Sequence, residues 1–228
     1  MRRRFDVLDV WRTLAIVLMV AYHFLYDLYI FGVISANQLF SAPLNVLERF
    51  ICCSFILLAG ASARFSRNNL RHGLVVLGAG LVVEIGAAAA GQTIRFGVLM
   101  LLGSSMVLWH FLGKGLQKLP GWSVAAGSGV LFFAARWWTG RTAVSVPWLY
   151  PLGFTAPGFY SADYFPLLPW FFLFLTGTAL GGWCLAHREN RLLTVSLPRV
   201  LTWPGRHSLI IYVLHQPVLY GISYLIWG

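Results

Sequence analysis

The chain has 228 residues, of which 58% are hydrophobic and 11% are charged. Because water-soluble domains carry about 25% charged residues, this composition excludes an ordinary soluble enzyme or binding domain. The formal net charge is +10, but the cationic residues lie in short connections between apolar stretches, so they indicate membrane topology and not a nucleic-acid partner. The three cysteines lie within apolar segments, with no spacing typical of a disulfide framework or a metal site.

Seven apolar stretches predict an all-α polytopic membrane protein, formed as a single domain over residues 1–228. A helix of about 20 residues crosses about 30 Å of hydrocarbon. The first stretch is longer than the apolar core of a signal peptide and lacks a small-residue cleavage site, so we expect it to remain in the mature protein. The predicted spans are residues 10–33, 45–63, 72–90, 96–113, 121–138, 166–187 and 208–227.

Basic residues orient these predicted spans. Most of the 17 lysines and arginines lie in connections that alternate to the same side of the membrane. The positive-inside rule makes that side cytoplasmic, so the N-terminus is expected inside and the C-terminus outside. The residues on this side are Arg2, Arg3, Arg4, Arg12, Arg64, Arg67, Arg71, Lys114, Lys118, Arg188, Arg191, Arg199 and Arg206.

The first span carries three groups that hydrocarbon penalises, Arg12, His23 and Asp27. Arg12 and His23 share one helix face and lie about 16 Å apart along the axis. His23 and Asp27 are spaced i, i+4, which makes them neighbours on the helix surface. Arg12 alone would suit a topology anchor, and His23 alone an interhelical hydrogen bond. The added carboxylate favours a functional His–Asp pair, because intramembrane ionisable groups usually face a cavity or one another.

Further polar groups lie in or beside the later spans. Glu84 lies deep within the third span, and His215 and Gln216 lie near the middle of the last. Pro217 removes one backbone hydrogen bond and is expected to kink the last span there, which is typical of a cavity wall. Asp163 precedes the sixth span, where we expect either an N-cap of that helix or a substrate contact at the outer mouth.

Five stretches resemble, in chain order, the bacterial relatives of heparan-alpha-glucosaminide N-acetyltransferase. They are DVWRTLAIVLMVAYHFLYDL, SFILLAGASAR, IRFGVLMLLGSS, DYFPLLPWF and GRHSLIIYVLHQPV, and together they extend over nearly the whole chain. The first two are also similar to membrane O-acyltransferases of surface polysaccharides, which carry an arginine, ten residues and a histidine in their first span. Arg12 and His23 have this spacing.

The resemblance implies a bacterial inner-membrane enzyme that moves an acetyl or other acyl group from cytoplasmic acyl-CoA to an amino sugar or hydroxyl of an outer glycan. His23 is the expected general base and Asp27 its orienting partner, with direct transfer and an acyl-histidine both left open. No metal is expected. The acetyl-CoA contacts are expected from Arg12, Arg64, Arg67, Arg71, Arg206, His215 and Gln216. The acceptor contacts are expected from Glu84, Arg95, Asp163 and Tyr164.

A proton-coupled transporter or channel is the rival interpretation, because intramembrane His, Asp and Glu side chains also form proton relays. The sequence supports it less, since it contains no inverted repeat and no pair of broken helices. A non-catalytic scaffold held together by its polar residues is a third interpretation.

The expected partners are acyl-CoA, a glycan or amino-sugar acceptor and membrane lipid. The acyl chain, N- versus O-transfer and the oligomeric state, a homodimer included, are left open.

Overall fold

Helices account for all regular secondary structure in residues 5–142 and 144–228, which the computed structural model describes. No strand occurs in those residues, so the predicted all-α class is confirmed. Arg2, Arg3 and Arg4, which contributed to the predicted orientation, lie outside the described residues. The helices are α1 Asp6–Ile30, α2 Ala36–Leu39, α3 Ala42–Phe65, α4 Asn69–Ala89, α5 Val98–Leu116, α6 Gly121–Thr139, α7 Leu167–Ala186, α8 Arg191–Thr194, α9 Arg199–Arg206 and α10 Ser208–Trp227, with a 3-10 helix at Pro147–Leu152.

Each predicted span corresponds to one of these helices, and the polytopic class is confirmed. Within the described residues, six helices are long and apolar enough to cross a membrane, namely α1, α3, α4, α5, α7 and α10. The seventh, α6, is 19 residues long and packs along α7. Its glycines, its serines and Arg136 make it less apolar than the other six. The predicted count of seven spans therefore stays a prediction, as does the orientation.

The described chain divides into two compact units, and α3 contributes to both. The first unit comprises the described residues up to Phe55 together with His187–Gly228. Here α9 and α10 pack against α1. Aromatic side chains join α1 to α10, since the Phe24 and Trp227 ring centroids lie 6.3 Å apart. Contrary to the expected boundary at residue 10, α1 begins at Asp6, where Asp6 and Asp9 place negative charge at the positive end of the helix dipole.

The second unit, Ile56–Ala186, is held by close helix packing. α4 packs along α5, and α6 along α7. The side chain of Asn68 accepts a hydrogen bond from the backbone N–H of Arg71 at 3.0 Å, which caps the start of α4. Gly60 of α3 faces the Phe174 carbonyl of α7, and Gly177 of α7 faces the Leu57 carbonyl. Small residues at such positions let two membrane helices approach until their backbones touch.

Replacing Gly177 by alanine is expected to destabilise the protein by about 1–3 kcal/mol, because the added methyl group would overlap a rigid backbone carbonyl. The measurement is the thermal unfolding midpoint in detergent, which should fall. Gly78→Ala is the matched control, since a Cβ at that α4 position meets nothing within 4 Å. An unchanged midpoint in Gly177→Ala would show that α3 and α7 separate without loss of stability.

Candidate active site

His23 lies on α1 with its ring turned back along the helix. Its Nδ1 lies 3.0 Å from the backbone carbonyl of Met19, one turn earlier. Because a carbonyl oxygen only accepts hydrogen bonds, Nδ1 carries the proton and donates it. The neutral imidazole is therefore fixed in one tautomer, and its Nε2 is left with a free lone pair. A general base requires such a lone pair, because the lone pair accepts the proton.

A second imidazole lies against the first. His215 of α10 is buried, with 9% of its surface exposed, and its ring centroid lies 4.7 Å from that of His23 at an interplanar angle of 86°. The Nδ1 of His215 donates to the Tyr212 carbonyl at 2.6 Å. Its buried Nε2 has no hydrogen-bond partner among the described residues. The two rings, which we call the His pair, therefore carry their Nδ1 protons towards backbone carbonyls, and in the neutral form of each ring Nε2 is the unprotonated nitrogen.

Asp27 lies beside this pair but does not orient it. The carboxylate is fully buried, and its Oδ1 accepts a hydrogen bond from Gln216 Nε2 of α10 at 2.7 Å. The expected hydrogen bond between His23 and Asp27 is absent from the described structure. The reason is side-chain direction, since helical side chains lean towards the N-terminus and the His23 ring lies over the turn of Met19. The local carbonyl thus takes the place predicted for the carboxylate.

Three buried atoms around the Asp27–Gln216 pair lack hydrogen-bond partners in the described part of the chain. They are Asp27 Oδ2, Gln216 Oε1 and His215 Nε2. All three are hydrogen-bond acceptors, since the Gln216 amide turns its Nε2 to Asp27 and His215 carries its proton on Nδ1. Buried polar atoms are rarely left unpaired, so a concentration of them suggests a place for a polar ligand or ordered water. A ligand with several N–H or O–H donors would supply hydrogen bonds to these three atoms.

Arg12 of α1 and Arg206 of α9 contact aspartates, whereas the sequence predicted that they bind CoA. Arg12 Nη1 lies 3.3 Å from Asp9 Oδ1, and Arg206 Nε lies 3.1 Å from Asp9 Oδ2. Arg206 Nη2 also pairs with Asp6 Oδ1 at 2.9 Å. Two arginines that we expected to bind phosphate are therefore paired with two aspartates. The four side chains together are close to neutral, which weakens the prediction that Arg12 and Arg206 hold CoA.

The other arginines predicted for CoA belong to the second unit. Arg64 lies in the last turn of α3 with its Nη1 atom buried, and that atom has no hydrogen-bond partner among the described residues. Arg67 and Arg71 are exposed in and after the turn that joins α3 to α4. Neither forms an ion pair with a described carboxylate. Arg64, Arg67 and Arg71, unlike Arg12 and Arg206, are therefore available to an anion.

Two carboxylates predicted for the acceptor instead cap α5. Asp163 Oδ2 accepts a hydrogen bond from the Val98 N–H at 3.1 Å, and Glu84 Oε1 accepts from the Gly97 N–H at 3.3 Å. Both satisfy amides at the start of α5, where negative charge is favourable. Asp163 is thus an N-cap, as one alternative held, but of α5 and not of the helix that follows it. Its sequence neighbourhood gave no sign of that partner.

Arg95 and Tyr164 also make structural contacts. The backbone N–H of Arg95 donates to Ser161 Oγ at 2.9 Å, while its side chain is exposed. The Tyr164 hydroxyl donates to the Tyr150 carbonyl at 2.7 Å. Burial, with a smaller effect of Tyr150, raises the pKa of Tyr164 to about 12. Tyr164 therefore remains a hydrogen-bond donor at neutral pH and cannot act as a base there.

The fold and the site define a class, that of polytopic α-helical membrane proteins, here with an imidazole pair formed by α1 and α10. Among the described residues, no cluster of three or more His, Cys, Asp or Glu side chains could hold a metal ion. The family model described as heparan-alpha-glucosaminide N-acetyltransferase, catalytic, matches residues 4–217. The chain therefore belongs to this family of transmembrane acetyltransferases, which confirms the resemblance seen in the sequence. Comparisons with curated proteins and with solved structures gave no match.

Proposed function

We propose that the protein transfers an acetyl group from acetyl-CoA to an amine of an acceptor, with the His pair as its proton-handling site. The observation that carries this proposal is the arrangement of His23 and His215, with both Nδ1 atoms against backbone carbonyls, which leaves Nε2 as the basic nitrogen of each neutral ring. Acyl transfer to an amine requires a base that removes a proton as the nitrogen attacks the carbonyl carbon. His23 Nε2 is that base.

The proton balance of the reaction suits a single imidazole. The bound ammonium first releases one proton to solvent, which leaves an amine with a nucleophilic lone pair. His23 then accepts the proton of the attacking N–H as the new N–C bond forms, and the imidazolium gives it to the leaving thiolate as the C–S bond breaks. Two imidazolium charges at 4.7 Å would repel by roughly 3.5 kcal/mol at an effective dielectric constant of about 20. The His pair therefore takes up only one proton beyond the two on its Nδ1 atoms, so that one Nε2 stays available as a base.

The donor for the developing oxyanion is Gln216 in this proposal. His215 and Gln216 were both expected to contact acetyl-CoA, but the single N–H of the neutral His215 ring is committed to the Tyr212 carbonyl. Gln216 uses one amide proton towards Asp27 and retains the other. A neutral donor beside a buried carboxylate is held in place before the reaction begins, which is what electrostatic stabilisation of a transition state requires.

An amine is favoured over a hydroxyl as the acceptor. Asp27 Oδ2, Gln216 Oε1 and His215 Nε2 are buried acceptors without donors among the described residues. An ammonium group supplies three N–H donors and a positive charge to match the carboxylate. A hydroxyl supplies one donor and no charge, so it would leave most of these atoms unpaired. An amino sugar of a glycan fits this requirement.

Acetyl-CoA is assigned as the donor substrate from the family, and the fit of the chain's arginines supports it. Its phosphates need cations without existing partners, and the buried Nη1 of Arg64 is such a group within the described residues. Arg67 and Arg71 add exposed positive charge nearby in sequence. Guanidinium groups suit phosphate because they donate two parallel hydrogen bonds. We place these arginines, and the N-terminus, on the cytoplasmic side of a bacterial inner membrane, with the acceptor glycan outside.

Arg64→Gln is expected to raise the KM for acetyl-CoA about tenfold with kcat nearly unchanged, because a charged phosphate contact is lost without effect on the reacting atoms. Arg136→Gln, at the exposed last turn of α6, is the matched control and should leave KM unchanged. Steady-state kinetics at varied acetyl-CoA concentration measures both. A fall in kcat at constant KM would place Arg64 in a different role.

The test of the proposed function uses purified protein in lipid nanodiscs with acetyl-CoA labelled in the acetyl group. We expect label transfer to an amino sugar and release of free CoA, with much slower transfer to the matching sugar that carries a hydroxyl in place of the amine. No binding of acetyl-CoA and no label transfer to either sugar would overturn the proposal. Proton or substrate flux in liposomes without acetyl-CoA would instead support the transporter interpretation.

A further inference from the structure

The segment that contains α8 and α9 turns its small and polar residues inward and its apolar residues outward. Thr202 is 1% exposed, and Gly205 lies so close to α1 that a Cβ would meet the Asp9 carbonyl. Thr13 of α1 donates to the Leu201 carbonyl at 2.7 Å and accepts from the Gly205 N–H at 2.9 Å. These contacts fix which face of α9 looks away from the protein.

The outward face is apolar. Val200 is 77% exposed and Trp203 is 57% exposed, and α8 adds Leu192 at 79%. Leu201 and Val195 are exposed as well. Within the described residues these side chains keep a large part of their surface exposed, and apolar area left in water is unfavourable.

Cationic side chains accompany this apolar face. Arg188, Arg191 and Arg199 are exposed, and none forms an ion pair with a described carboxylate. Arg206 differs, since Asp6 and Asp9 neutralise it. The segment thus presents both exposed apolar area and unneutralised positive charge, a combination typical of helices that lie in the plane of a membrane surface.

The position of the segment along α1 matches that of a membrane surface. α9 contacts Asp9 and Thr13, which lie in the first turns of a helix of 25 residues. A helix of this length is about 37 Å long and exceeds the hydrocarbon thickness, so its first turns lie near the headgroups. At that depth apolar side chains can enter the acyl boundary while arginines contact lipid phosphates.

We propose that α8 and α9, with the arginines that flank them, form an in-plane docking surface for anionic phospholipid headgroups. A second copy of the chain would bury the apolar residues but leave the arginines facing one another. A soluble phosphate compound would satisfy the arginines but leave the apolar residues in water. An anionic lipid satisfies both. The surface comprises Arg188, Arg191, Leu192, Val195, Arg199, Val200, Leu201 and Trp203.

The test measures the depth of Val200 by spin labelling of the full chain. Cys52, Cys53 and Cys184 are replaced by alanine, and Val200→Cys is labelled in vesicles of phosphatidylcholine with or without phosphatidylglycerol. Gln117→Cys, after α5, is the comparison site in a polar connection. We expect the ratio of oxygen to nickel-chelate accessibility at position 200 to exceed that at 117 severalfold and to rise about twofold with phosphatidylglycerol. Equal ratios at the two positions would overturn the proposal.

A charge variant separates lipid binding from burial alone. Arg191→Gln with Arg199→Gln should abolish the response to phosphatidylglycerol, whereas Lys114→Gln with Lys118→Gln, which removes the same charge elsewhere, should preserve it. Because the two-lipid comparison uses the native arginines, the proposal stays testable if the arginine variant does not fold. A response to free CoA in place of phosphatidylglycerol, or spin–spin broadening that unlabelled protein removes, would assign the surface to another occupant and overturn the proposal.

Discussion

Replacing His23 by alanine is expected to lower kcat for acetyl transfer by about a thousandfold while acetyl-CoA still binds. General-base catalysis contributes about 10²–10⁴-fold to rates, and His23 Nε2 is the group we assign to it. The variant removes a ring that touches His215 but leaves the Asp27–Gln216 hydrogen bond in place. The measurement is label transfer at saturating acetyl-CoA, with donor binding followed separately.

The control must separate loss of chemistry from loss of folding. His110→Ala removes an imidazole from an exposed position on α5, so it should retain full activity and an unchanged melting temperature. His23→Ala should retain a cooperative unfolding transition, since the cavity left by an imidazole costs only a few kcal/mol. Retention of more than about a tenth of the activity in His23→Ala would be incompatible with general-base catalysis of this magnitude.

The helices were largely predictable because apolar periodicity and length decide them. Each of the seven expected spans corresponds to a helix, with ends displaced by a few residues. The displacements have local causes. α1 starts early because Asp6 and Asp9 stabilise its first turn. α10 has the expected ends and continues as one helix through Pro217.

The site was only partly predictable, for reasons of side-chain direction and long-range contact. Arg12, His23 and Asp27 lie on one helix, α1, as expected. Their contacts with residues of α9 and α10 could not follow from spacing along that helix. Asp27 meets Gln216 across 189 positions of sequence. Asp9 and Arg12 are spaced i, i+3, so their ion pair was available from the sequence and was missed. The pairing of His215 with His23 has no such local signal.

Asp27→Asn is expected to lower kcat/KM for an amine acceptor by roughly a hundredfold, while kcat/KM for a hydroxyl acceptor changes little. Asparagine keeps an oxygen that can accept the Gln216 hydrogen bond, so the variant removes mainly the negative charge. That charge is the feature which distinguishes an ammonium from a hydroxyl, and a charge-assisted hydrogen bond contributes about 1.5–3 kcal/mol. The measurement compares label transfer to the two acceptors in both proteins.

Asp163→Asn is the matched control, since it makes the same chemical change at the cap of α5. It should cost about 1 kcal/mol of stability and leave the acceptor preference unaltered. If Asp27→Asn instead slowed both acceptors equally, the carboxylate would act by holding Gln216 and not by binding the amine. Activity towards the hydroxyl acceptor thus separates two roles of Asp27. Loss of Gln216 positioning would slow transfer to both acceptors, whereas loss of the ammonium partner would slow transfer to the amine alone.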